Sequence, residues 1–266
     1  MRIGFIGAGR MGTPMVRRLV AAGHDVHVLG RSSEARRAIK ELGAQPVSFA
    51  AAVGTDAAVV VICVFTDEQV REICLDSPLL TTMPPGSTLV IHTTGSPETA
   101  EAVAAQAVSH DIKVLDAPVS GGPHDIEAGR ITLFVGGDED TVARIDPVLR
   151  SYGDPVLHVG PIGSGQRVKL VNNALFAAQI GLVAQAVRLA GQLGIDEATL
   201  LSALPHASAG GRAVTSVAAK GSVAAFGASV GEFLRKDVAV VRALAAELGA
   251  DMGALDNAIA ASTDDS

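Results

Sequence analysis

The run Gly7-Ala8-Gly9-Arg10-Met11-Gly12 places three glycines between a short apolar stretch and a helical one. At that position each glycine has a job in holding a pyrophosphate. Gly7 permits a tight turn, Gly9 lets the backbone approach the phosphates, and Gly12 lets strand and helix pack closely. The helix N-terminus that follows faces the anion. With 29 glycines in the chain, a bare turn is the competing reading, but the strand-turn-helix context disfavours it. The chemistry implied is dinucleotide binding. Dinucleotide folds that take NAD usually carry an acid near the end of the second strand for the ribose hydroxyls. Here Leu29 is followed by Gly30, Arg31 and Ser32. A guanidinium and a hydroxyl suit a 2′-phosphate, so NADP(H) is expected in preference to NAD(H), with Arg36 or Arg37 one turn further on to assist. The bland alternative is a solvated loop cation at Arg31.

Two further groups carry functional side chains. Lys169 and Asn173 are four apart in a helical stretch, so one helix face presents an ammonium and an amide. A hydride delivered to a carbonyl leaves an oxyanion that needs a proton, and a lysine can supply it or hold the developing charge. The reverse reaction needs a neutral lysine, which burial favours. Asn173 can bond the substrate oxygen or fix the lysine. An ordinary helix lysine is a solvated cation, but Gly160, Gly163 and Gly165 just before this one allow backbone to approach a ligand closely. Ser120-Gly121-Gly122 follows a strand and Pro118, where successive N–H groups can form a nest for a carboxylate; an ordinary turn is the alternative. His92 and His124 are expected to be structural or loop histidines rather than acid–base groups.

These residues must be positioned by two kinds of architecture. Runs at Arg2–Ile6, Asp25–Leu29, Ala57–Val64, Thr88–Ile91, Lys113–Leu115, Ile131–Val135 and Pro155–Val159 read as strands, several apolar throughout, as strands buried on both faces are. Helices fit Met11–Ala22, Ser33–Leu42, Glu68–Ile73, Pro97–Val108 and Glu139–Leu149 between them. This alternation predicts an α/β, Rossmann-type doubly wound sheet. From Gly163 only helices are read. Apolar residues at steps of three and four predict one long interdomain helix over Ser164–Gly194, about 45 Å in length. Helices follow at Asp196–Leu204, Arg212–Lys220 and Val230–Leu248. The predicted domains are a cofactor-binding domain, 1–162, and an all-α substrate and dimerisation domain, 163–266, with a disordered tail from Ala260 to Ser266.

Composition excludes several classes. The chain is 48% hydrophobic and 3% aromatic, with no Trp, one Tyr and a net charge of -7, which offers neither a stacking platform nor a basic face for nucleic acid. Cys63 and Cys74 show no ligand-like clustering, so neither a metal site nor a disulfide framework is expected. The longest unbroken apolar run, Ala57–Phe65, is far below the roughly 20 residues that span a bilayer. A soluble, cytoplasmic protein is the expectation.

Four separated stretches resemble the β-hydroxyacid dehydrogenase family, which includes enzymes such as 3-hydroxyisobutyrate dehydrogenase. They are Phe5–Gly12, Asp116–Gly122, Gly163–Asn173 and Lys236–Val238, and the likeness runs from Met1 to about Gly249. The resemblance implies that Lys169 is the catalytic lysine and Asn173 its partner. It makes Ser120, Gly121 and Gly122 the cradle for the substrate carboxylate. Thr94 and Lys236 become contacts to the nicotinamide side, with Val64 and Phe65 against the cofactor. The chain departs from the family pattern at Ile91-His92-Thr93-Thr94-Gly95, where an Asp often precedes a Ser-Thr pair, and at Val64-Phe65 in place of Leu-Pro. Its C-terminus is also short, as if lacking the last one or two helices that relatives use to close the helical domain and pair subunits.

The expected activity is interconversion of a small β-hydroxyacid with its semialdehyde or keto acid, using NADP(H) and Lys169 as general acid/base, in a homodimer or higher homo-oligomer. Ser208, Arg212 and Phe233 are candidates for lining the substrate pocket. Two rivals stand beside this. Imine reductases share the cofactor domain but usually replace the lysine and lack the Ser-Gly-Gly cradle. A cofactor-sensing protein would bind NADP(H) without turnover.

Overall fold

The computed structural model describes residues 1–261. Its first unit, Met1–Lys169, holds a sheet of nine strands among the described residues. In chain order the elements are β1 (Arg2–Ile6), α1 (Gly12–Ala21), β2 (Asp25–Leu29), α2 (Ser33–Glu41), β3 (Gln45–Val47), α3 (Ala50–Gly54), β4 (Val59–Ile62), α4 (Asp67–Cys74), α5 (Leu79–Thr82) and β5 (Thr88–Ile91). There follow α6 (Pro97–Ala107), β6 (Lys113–Asp116), β7 (Val119–Ser120), α7 (Pro123–Glu127), β8 (Ile131–Gly136), α8 (Glu139–Leu149) and β9 (Gly153–Gly160).

The strand order is β3-β2-β1-β4-β5-β6-β8-β7, with β9 paired to β8. The six strands from β3 to β6 are parallel, and the antiparallel β8 joins them at β6. The order 3-2-1-4-5-6 is that of a dinucleotide-binding sheet, as the alternation predicted. Its central strands are apolar because both faces are covered. On β4, Val59 and Val61 enter one core with Met15, Val16 and Leu19 of α1 and Val148 and Leu149 of α8. Val60 and Ile62 enter the other with Val70 and Ile73 of α4 and Val103 of α6.

Several elements have no counterpart in the sequence reading. β3 contains Pro46, which costs no ladder hydrogen bond only because the strand is an edge. The helices α3, α5 and α7 have five residues or fewer, too few to show a helical period.

The second unit runs from Leu170 onward, and its elements among the described residues are helices. It takes up α9 (Ser164–Gln192), which begins in the first unit, then α10 (Glu197–Ala203), α11 (Arg212–Lys220), α12 (Val223–Glu247) and α13 (Ala254–Ala260). Ile180 and Val183 of α9 pack with Leu201, Val214, Val217 and Phe226, while Ala174, Ala177 and Ala178 pack with Val238 and Ile259. α12 starts two turns before the expected Val230, N-capped by Ser222, whose hydroxyl accepts from the Ala225 N–H. α13 has no counterpart in the sequence reading; its last residue, Ala260, is the first of the predicted tail, and residues 262–266 of that tail lie outside the described residues. α9 contains an 18-residue window of mean hydropathy 1.4, long and apolar enough to cross a bilayer by length and composition. Half of that window is buried within the protein, as in the core helix of a soluble fold.

Candidate active site

β1 delivers the chain into the glycine turn. Gly7 has φ +104°, and a Cβ there would run into the Cys63 carbonyl at the end of β4. Gly12 opens α1, and a Cβ would meet the Gly7 carbonyl and the Phe5 ring. Gly9 differs from both, because a Cβ on it would meet nothing within 4 Å. Its surface is open, as a backbone cradle for phosphate must be. The first turn of α1 receives no side-chain cap, and Ala8, Arg10 and Met11 complete the loop around it. Inside the loop, the Thr13 hydroxyl donates to the Ala8 carbonyl at 2.9 Å.

At the end of β2, Arg31 and Ser32 are both exposed. The Ser32 hydroxyl N-caps α2 by accepting from the Ala35 N–H at 3.0 Å, which leaves its own hydrogen to donate. Arg36 donates to the Gly30 carbonyl at 3.0 Å and so sits on the same loop, whereas Arg37 is paired with Glu41 on the helix surface. A cavity of about 230 Å³ beside Arg31 is lined by Leu29, Phe49, Glu72 and Ile73 among others.

The carboxyl ends of β4, β5 and β6 are joined by buried and partly buried hydrogen bonds. The Val64 N–H donates to the Thr93 hydroxyl, which donates in turn to the Val64 carbonyl, both at 3.0 Å. The Phe65 N–H is held by Gln69, and the residue is 39% exposed. Thr94 follows Thr93 and is half-buried. Asp67 accepts from the Ser96 N–H at 2.9 Å and from the Thr99 hydroxyl. His92 is buried with both ring nitrogens engaged, Nδ1 with the Ala117 carbonyl at 2.6 Å and Nε2 with the Tyr152 hydroxyl at 2.8 Å. Burial pushes its pKa down to about 4, only partly offset by the Ala117 bond. It is a neutral structural ring.

Asp116, at the end of β6, has no solvent exposure. Its carboxylate accepts from the N–H groups of Gly163 and Gln166, each at 2.7 Å, so it anchors the first turn of α9. Burial raises its pKa, and the two N–H donors oppose the rise. Gly165 lies so near the Phe134 and Asp116 carbonyls that a side chain has no room. Gln166, 1% exposed, donates through Nε2 to the Thr93 carbonyl at 2.8 Å and accepts at Oε1 from the Gly95 N–H at 3.0 Å. Lys169 follows one turn later and is 9% exposed. Asp116 and Gln166 escape a reading by residue type, since a lone acid or amide at a strand end has no spacing signature.

Ser120 ends β7, and Gly121 has φ +135°, a conformation that suits glycine. The Gly122 N–H, expected to turn toward a ligand, donates to the Asp125 carboxylate at 2.8 Å. His124 lies 3.4 Å from the same carboxylate and is solvent-exposed.

In the second unit, Asn173 of α9 is buried, and its amide is bonded at both ends. Its Nδ2 donates to Asp237 and its Oδ1 accepts from Asn172 at 2.9 Å. Lys236 Nζ stands 3.1 Å from Asp237 Oδ1. Asp237, buried on α12, therefore orients Asn173, a role the sequence did not reveal. Ser208 and Arg212 are exposed, and Phe233 is 40% exposed on α12. Among the described residues no three His, Cys, Asp or Glu side chains are grouped to hold a metal ion.

Fold and site together define an NAD(P)-dependent dehydrogenase: a glycine-cradled dinucleotide sheet with a buried lysine on the helix that follows it. Residues 2–160 match the NAD-binding domain of 6-phosphogluconate dehydrogenase, and residues 163–262 match the NAD-binding domain of NADP-dependent 3-hydroxyisobutyrate dehydrogenase. The chain is 35% identical to 3-hydroxyisobutyrate dehydrogenase of Pseudomonas aeruginosa over 209 residues, 78% of this chain and 70% of that protein. A structure of Mycobacterium tuberculosis 3-hydroxyisobutyrate dehydrogenase with L-serine superimposes with a TM-score of 0.86 at 30% identity, covering 98% of this chain and 92% of that one. An imine reductase from a Pseudomonas species gives a TM-score of 0.68 at 18% identity, covering 97% and 91%, and shares the fold alone. The chain belongs to the β-hydroxyacid dehydrogenase family, enzymes that act on CH–OH groups with a nicotinamide cofactor.

Proposed function

We propose that the protein reduces the semialdehyde or keto form of a small β-hydroxyacid with NADPH, and catalyses the reverse oxidation, with Lys169 as general acid/base. The observation that carries this reading is the burial of Lys169 on a turn of α9 held by Asp116 and Gln166 to the carboxyl ends of β5 and β6. Ligands bind at those ends in open parallel sheets. When bound, the nicotinamide supplies or accepts the hydride. Lys169 donates a proton to the carbonyl oxygen during reduction and takes it back during oxidation. Asn173, oriented by Asp237, presents a fixed amide one turn further along α9.

Arg31 and the Ser32 hydroxyl support NADP(H) over NAD(H), since no acid stands at the end of β2 and both groups are exposed there. Lys236, Thr94, Val64 and Phe65 are assigned to the nicotinamide side. The Ser120 hydroxyl and Gly121 N–H are assigned to the substrate carboxylate, Gly122 being engaged by Asp125. We further propose a cytoplasmic homodimer paired through the helical unit. In support, Val171, Leu175, Leu182 and Leu189 lie exposed on one side of α9, within about 40° of arc and along about 27 Å of helix.

The test is NADPH and NADH oxidation over a panel of glyoxylate, succinic, methylmalonic and tartronic semialdehydes and cyclic imines. Turnover of a carboxylate-bearing aldehyde with NADPH is expected. Arg31→Ala should weaken NADPH roughly tenfold or more and leave NADH unchanged. Activity on imines alone would replace the assignment with imine reduction, and cofactor binding without turnover of any compound would leave a cofactor sensor.

A further inference from the structure

Thr94 lies between two residues that are held by one side chain. Gln166 donates to the carbonyl of Thr93 and accepts from the N–H of Gly95, so a single amide brackets Thr94 on both sides. The Gln166 backbone N–H is itself held by Asp116 at 2.7 Å. Three elements therefore converge on this residue: the end of β5, the end of β6 and the first turn of α9. Lys169 lies three residues on, on the same side of the helix.

An amide in this position does more than close a loop. Gln166 is 1% exposed, and an amide taken from water is retained at such a depth only when its bonds are made. Both of them are, and both go to backbone. The loop is already stapled below by Thr93 with Val64 and beyond by Asp67 with Ser96. Those bonds fix the loop to β4 and α4, and neither ties it to α9. The two Gln166 side-chain bonds tie the backbone on either side of Thr94 directly to the helix that carries Lys169.

We infer that Gln166 is a positioning residue that couples the cofactor-side loop at Thr94 to the proton-donating Lys169, so that nicotinamide and lysine are registered against one another. This rests on the proposed function, which assigns Thr94 to the nicotinamide and Lys169 to the proton. Gln166 touches neither reacting atom in this scheme. Its effect should therefore fall on the nicotinamide half of the cofactor and spare the adenine half, which is held at Gly9 and Arg31.

The experiment measures the affinity of NADPH and of 2′-phospho-ADP-ribose, its fragment lacking nicotinamide, for wild type, Gln166→Met and Gln166→Glu by calorimetry, together with kcat and KM. If the wild type prefers NADH, the pair becomes NADH and ADP-ribose. Gln166→Met removes both bonds at similar volume. It is expected to bind the fragment like wild type, to lose NADPH affinity by roughly tenfold, and to lower kcat more than the KM for aldehyde. Gln166→Glu keeps an acceptor for the Gly95 N–H but turns an oxygen toward the Thr93 carbonyl, and should show the same split between cofactor and fragment. Should Gln166→Met not fold, the ratio of the two affinities in Gln166→Glu decides. Equal weakening of cofactor and fragment, or no change in either, overturns the inference and leaves Gln166 a structural residue. A wild type that binds neither cofactor overturns the functional reading first, and the inference falls with it.

Discussion

The three glycines of the phosphate turn are not equivalent, and the difference separates folding from binding. At Gly7 a methyl group would meet both a positive φ and the Cys63 carbonyl, so Gly7→Ala is expected to destabilise the fold by about 2 kcal/mol or more. At Gly9 the same methyl group enters open space. Gly9→Ala should therefore melt within a degree or two of wild type, yet bind NADPH at least roughly tenfold more weakly, because the methyl group occupies the surface where the pyrophosphate rests. Paired melting curves and cofactor titrations check both. A Gly9→Ala protein that binds like wild type would remove the cradle from this turn. Lys169 depends on different physics: the helix turn that precedes it is fixed by a buried carboxylate and a buried amide, so its backbone position is set before any substrate arrives.

At the scale of elements, the parallel core was legible because apolar runs and helical periods alternate along the chain, and because β4 and β5 are buried on both faces. The long α9 was legible from its period. Elements that depend on partners were not: β3 exists because β2 is beside it, β7 because β8 is, and neither run is long enough to announce itself. The site followed the same division. Gly7, Gly9, Gly12, Arg31 and Lys169 could be found by type and spacing, whereas Asp116, Gln166 and Asp237 act through hydrogen bonds between distant segments that no local pattern encodes. His92, expected from the sequence to be structural, makes bonds of the same distant kind, joining the end of β5 to the segment after β6 and to Tyr152. With its folded pKa lowered from 6.5 to about 4, the unfolded chain binds the extra proton first, so stability is full above pH 6.5 and falls as pH drops toward 4. The loss should approach about 3 kcal/mol by pH 4. Urea titrations across that window should show a steeper fall for wild type than for His92→Gln, and equal slopes would mean the ring is not the group responsible.

The molecule is a cofactor-binding unit followed by a helical unit, and we propose that the exposed apolar side of α9 meets a second copy of the chain. Light scattering on the purified protein should give a dimer mass. Leu182→Glu with Leu189→Glu should give a monomer that retains NADPH binding, since neither leucine belongs to the first unit. A double variant that stays dimeric would move the interface elsewhere. Whether Lys169 moves the proton is read from turnover by Lys169→Ala, measured alongside NADPH affinity with the best substrate of the panel. The predicted result is a fall in kcat of roughly a hundredfold or more with cofactor affinity nearly unchanged. Near-full turnover by Lys169→Ala would contradict it.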